Sequence, residues 1–143
     1  MLRKIKNQMG MALLESILAT TLLSIGLTGG LFLMQNATRT SITTDYNIIA
    51  SQFANEKLES IIADKALTAS KYAGIVNTNY PNESITYGGI TGAFSRKVAI
   101  TEVNPSDLTT TQAGSGVKKV DVTVEWNIGS TQKILVSTLV TDY

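Results

Sequence analysis

The sequence predicts an α+β fold in which a long N-terminal helix, membrane-spanning in its first half, packs on a small antiparallel β-sheet. Three observations predict it. Residues Met11 to Met34 form an apolar run interrupted by one charge, Glu15. No proline occurs from Met11 to Leu67, so a single helix can carry through. Beyond Gly92 come three strand patterns, of which Val117 to Trp126 alternates apolar and polar with the period of two that marks a half-buried strand and Phe94 to Val103 does so in part.

The first ten residues carry Arg3, Lys4 and Lys6 and no acid, whereas the remainder carries nine bases and eleven acids. As a helix, the apolar run spans roughly 36 Å, enough to cross a bilayer. A short basic start places that end in the cytoplasm and the rest of the chain outside it. A secretory signal peptide fits poorly: no A-x-A-like site follows the run, and the run is longer than such a peptide's apolar region. A plain anchor fits poorly too. An acid inside a membrane helix costs on the order of 2.5–3.5 kcal/mol, and an anchor gains nothing from Glu15. The simpler reading of Glu15 is an interfacial acid reaching toward headgroups.

From Asn36 to Leu67 the chain turns polar but keeps helical periodicity. Ile42, Tyr46, Ile49 and Phe53 fall on one narrow face, and Ala54, Leu58, Ile61 and Ile62 extend and rotate it. This stripe reads as core. The helix is expected to end between Lys71 and Gly74. Gly26, Gly29 and Gly30 weaken it by about 1 kcal/mol each against Ala. They read equally as a segment that must soften or as small residues for close helix packing.

Residues Ile75 to Gly92 read as a loop, rich in Asn, Pro81 and the Gly88-Gly89 pair. The expected strands are Phe94 to Val103, Val117 to Trp126 and Lys133 to Val140, with a hairpin connection at Asn127-Ile128-Gly129-Ser130. In the second strand Val120, Val122, Val124 and Trp126 should face the core; Lys119, Asp121, Thr123 and Glu125 should face away. The basic pairs Arg96-Lys97 and Lys118-Lys119 read as a solvated face rather than a nucleic-acid surface.

There is no Cys and no His, which excludes thiol nucleophiles, imidazole bases, disulfides and most zinc sites. The carboxylates lack the paired spacing of acid–base chemistry. No Gly-rich phosphate motif follows a strand. No enzyme, metal or cofactor is expected.

The segment R-K-I-K-N-Q-M-G followed by M-A-L-L-E resembles the N-terminal signature of type IV pilins and type II secretion pseudopilins. That signature is a basic leader ending in Gly, then an aromatic residue or Met, then an apolar run with Glu at its fifth position. Ser24-Ile25-Gly26-Leu27-Thr28-Gly29 is similar to a stretch of minor pilins of the pilus-modification type, as is the ending S-T-L-V-T-D-Y. The resemblance is strong over about the first thirty-five residues and loose beyond. It implies cleavage by a prepilin peptidase between Gly10 and Met11, N-methylation of Met11, and a pairing of Glu15 with the N-terminal ammonium of a neighbouring subunit. Met11 stands where Phe is commoner, and the chain lacks the proline and the disulfide frequent in major pilins, which points to a minor pilin or pseudopilin.

The expected organisation is a leader over 1–10, a membrane and assembly helix over 11–35, and an extracytoplasmic domain over 36–143. The expected partners are other pilin or pseudopilin subunits, the peptidase and the cytoplasmic membrane, without nucleic acid. The expected role is a structural subunit that primes assembly or sits in or near a tip. The alternative is a membrane-anchored binding or adhesion module outside any filament.

Overall fold

The computed structural model describes residues 2–67 and 71–142; for residues 2–10, 67, 71 and 91 it describes the backbone only. Met1 of the expected leader and Tyr143 of the expected last motif lie outside the described residues. The chain forms α1 (Leu2–Leu67), two short 3-10 turns (Lys71–Gly74 and Asn77–Asn79), and strands β1 (Glu83–Tyr87), β2 (Ile90–Glu102), β3 (Val117–Asn127) and β4 (Thr131–Thr141). The strands make one antiparallel sheet in the order β1-β2-β3-β4. The expected α+β architecture, a long apolar N-terminal helix with a helix-on-sheet layer, is what the chain adopts.

The chain divides into two compact units, one ending at Thr43 and one starting at Thr44. In the second, α1 lies on the sheet through Ala50, Ala54, Leu58 and Ile61, all buried. Their i, i+4, i+8, i+11 spacing is one helical stripe. Two alanines at its start let the helix backbone approach the strands closely. Tyr46, Ile49 and Phe53 flank the stripe as half-buried neighbours, while Ile42 and Ile62 stay exposed. The expected face therefore holds for Tyr46, Ile49, Phe53, Ala54, Leu58 and Ile61, omits Ala50, and wrongly includes Ile42 and Ile62.

The sheet supplies Phe94, Ile100, Val120, Val122, Val124, Trp126 and Val140. The expected facing of β3 holds: its even positions from 118 to 126 are buried and its odd positions from 119 to 125 are half-exposed. Phe94 is the hub of the aromatic packing, with ring centroids 5.4 Å from Phe53, 5.5 Å from Tyr46 and 5.9 Å from Trp126. The β3–β4 hairpin turns where expected, through Gly129 at φ 76°.

Three expectations need correction. α1 ends at Leu67 rather than between Lys71 and Gly74, where a short 3-10 turn stands instead. The segment Ile75 to Gly92 is not all loop. It holds β1, which pairs with β2 through a Gly88-Gly89 turn whose residues sit at φ 59° and 80°. Positive φ at both central positions is the hairpin geometry that glycine allows without strain. The basic pairs Arg96-Lys97 and Lys118-Lys119 also do not share a solvated face. Lys97 and Lys119 face away from α1, but Arg96 and Lys118 point into the core side and are buried.

Both buried cations have partners, as their burial requires. Arg96 Nε donates to Glu83 at 2.8 Å and its Nη1 to the Phe53 carbonyl at 2.8 Å. Lys57 of α1 pairs with the same carboxylate, so Glu83 ties β1 to β2 and to the helix. Lys118 Nζ donates to the carbonyls of Tyr72 and Ile75, each at 3.0 Å, and sits 4.2 Å from the Tyr72 ring centroid. Lys118 thereby closes the end of the core where the chain leaves α1.

Candidate functional site

The residues singled out by the sequence, Gly10, Met11 and Glu15, all lie on α1. Gly10 and the residues from Leu2 onward are helical, so α1 begins nine residues earlier than the apolar run. The reason is local: Arg3, Lys4, Lys6, Gln8 and Met9 are straight-chain residues that lose little freedom in a helix. Gly10 is the weak point, with no side chain to favour the helical state. Met11 and Glu15 are one helical turn apart and share a face.

Between Met11 and Met34 every residue is exposed, including Leu14, Ile17, Leu22, Leu23, Phe32 and Leu33. The most apolar eighteen residues of this helix have mean hydropathy 1.9, and the helix is long and apolar enough to cross a membrane. A bare apolar surface of this extent is far beyond what a chain keeps in water. Lipid or other polypeptides must cover it.

The polar groups inside the run are handled in two ways. Ser16, Thr20, Ser24 and Thr28, spaced four apart, each donate a hydroxyl hydrogen bond to the carbonyl four residues back, at 2.7–2.9 Å. Thr21 does the same to Ile17 at 2.7 Å. These hydroxyls need nothing from a neighbour or from water. The spacing of Ser16, Thr20, Ser24 and Thr28 was the signal in the sequence that could have revealed this. Glu15 is different: an ionised carboxylate can only accept, and its own helix offers it no donor side chain one turn away. It is the group of the run whose charge calls for a partner from outside.

A Cβ added at Gly26, Gly29 or Gly30 would meet nothing within 4 Å. Among the described residues, none therefore requires a glycine at these positions by close approach. Among the described residues no group of three or more His, Cys, Asp or Glu side chains is placed to hold a metal ion.

Comparison with protein-family models, curated proteins and solved structures found no match.

Proposed function

We propose that this chain is a structural subunit of a type IV pilus or a related pseudopilus, in the minor-subunit class that primes assembly or sits in or near a tip. The observation that carries the reading is the apolar run of α1, exposed from Met11 to Met34, with one carboxylate five residues after Gly10.

In this reading the membrane is the reservoir. The basic leader holds the start of the chain in the cytoplasm, and the apolar half of α1 rests in lipid. Cleavage after Gly10 removes three cations and creates an ammonium at Met11, which N-methylation leaves charged. Incorporation then moves the apolar helix from lipid to a sheath of other helices. Hydrophobic burial is similar in both places, so it gives little direction to the move. Glu15 supplies the direction. In lipid its charge is penalised; against the Met11 ammonium of a neighbour each charge offsets the other's desolvation.

Mass spectrometry of the mature protein tests the first step. A chain beginning at Met11 is expected, and Gly10→Val should block the cut. An intact leader in a cell that cleaves other prepilins would overturn the reading. For the second step, Glu15→Ala should leave membrane insertion intact or improved while lowering the filament-bound fraction severalfold. Equal incorporation of Glu15→Ala and wild type would remove the pairing role and favour a plain membrane-anchored module.

A further inference from the structure

The sheet has two free edges, and they are finished differently. β1 is five residues long, follows Pro81, loses register after Ile85, and has its Glu83 carboxylate engaged by Lys57 and Arg96. A short, irregular, charge-bearing strand is how proteins keep an edge from pairing. β4 has no such guard beyond Lys133 near its start. It runs eleven residues in unbroken register with β3 and contains no proline.

The backbone of β4 is poised for a further strand. The Asp142 N–H donates to the Gly116 carbonyl at 3.0 Å, so the even positions turn their backbone groups toward β3. The N–H and C=O groups of Lys133, Leu135, Ser137 and Leu139 therefore point to the open edge. Among the described residues no strand pairs there. The same residues carry their side chains on the face away from α1, where Leu135 and Leu139 are 56% and 43% exposed.

The strand is also complementary to itself. Laid antiparallel on a second copy with Ser137 opposite Ser137, each Leu135 meets a Leu139. Ile134 then meets Val140, and Lys133 meets Thr141. No like charges oppose each other. Moving the centre to any neighbouring residue breaks the two Leu135–Leu139 pairs.

We propose that β4 is a self-association edge, at which two copies pair antiparallel about Ser137 and join two four-stranded sheets into one. The two-fold axis is normal to the sheet, so residues 44–67 of α1 run in opposite directions in the two copies. The pairing fits chains that approach from opposite ends rather than neighbours standing side by side in one membrane. It is independent of the filament reading.

The chain has no Cys, so single introduced cysteines report cleanly. The full chain in detergent is mildly oxidised. Ser137→Cys places two thiols on the axis, where opposed Cα atoms lie about 5.5 Å apart, within disulfide reach. Leu135→Cys places its thiol opposite Leu139 instead. The expected result is roughly tenfold more linked dimer from Ser137→Cys than from Leu135→Cys, with linking restored in the double variant Leu135→Cys, Leu139→Cys. Adding Leu135→Lys and Leu139→Lys to Ser137→Cys should abolish linking, with an unchanged melting temperature showing that the fold survives. Absence of Ser137→Cys dimer, equal linking of the two single variants, or linking that survives the paired lysines would each overturn the proposal.

Discussion

Glu83 illustrates how much one side chain can hold. Burial raises its carboxyl pKa, but hydrogen bonds and attraction from Lys57 and Arg96 outweigh burial and hold it below its ordinary value. A carboxyl depressed by folding stabilises the native state above its unfolded pKa, and that stability is lost as pH falls through the folded value. The window therefore lies below the ordinary value of 4.5. Thermal melts from pH 7 to pH 3 should show an acid-side loss in wild type that shrinks in Glu83→Gln, which should already melt lower at pH 7. An identical acid profile in the two would show that Glu83 is not the linked group. Lys118 makes the second case. Lys118→Met keeps the volume but leaves the Ile75 carbonyl without its donor and the Tyr72 carbonyl with only the Ile75 N–H, at a cost of about 1–3 kcal/mol in melts or denaturant titration. Neither role was legible in the sequence. The partners of Lys118 lie 46 and 43 residues away, and a Lys-Lys pair in a strand gives no local sign of which one turns inward.

At the level of elements, legibility followed length and regularity. β3 could be read with its facing because Val120 to Trp126 alternates without a break. β1 could not. Its Ile85, Thr86 and Tyr87 favour a strand, but Pro81-Asn82 and Gly88-Gly89 crowd them on both sides, and turn formers dominate any window that covers all five residues. Of the stripe on α1, Ala54, Leu58 and Ile61 were read correctly; Ile42 and Ile62 were included because they are large and conspicuous, whereas Ala50, fully buried, is small and was passed over. The facing of β3 gives a direct test. Val122 is fully buried, so Val122→Asp strands a charge in the core and should unfold the domain. Thr123→Asp, on the opposite face, should change stability by about 0.5 kcal/mol or less. A larger effect of Thr123→Asp in thermal melts would reverse the assigned register.

Across the whole molecule the two units differ in what holds them. The unit from Thr44 onward has a core of its own. The unit ending at Thr43 has helix hydrogen bonds and an uncovered apolar surface. Removing residues 1–34 should therefore give a water-soluble chain that melts cooperatively, at the temperature seen for the full chain in detergent. The full chain without detergent should sediment. An unfolded or insoluble truncated chain, judged by circular dichroism and size-exclusion chromatography, would show that the second unit depends on the first. The apolar run and Glu15 were plain in the sequence because they need no tertiary partner to be recognised. What covers the run was not, because no residue within the chain reports it.

The hydroxyls of the apolar helix have a consequence for reversibility. Ser16, Thr20, Thr21, Ser24 and Thr28 spend their hydrogen bonds on their own backbone. The helix therefore makes no directional demand on its surroundings along most of its length and is nearly indifferent to which apolar medium encloses it. Such a segment can be withdrawn from one greasy environment and returned to it without breaking a polar bond. Under the proposed function, discrimination between lipid and filament rests on a single carboxylate at one end, Glu15. Under that proposal the helix acts less like a cemented joint than like a sliding rod with one catch.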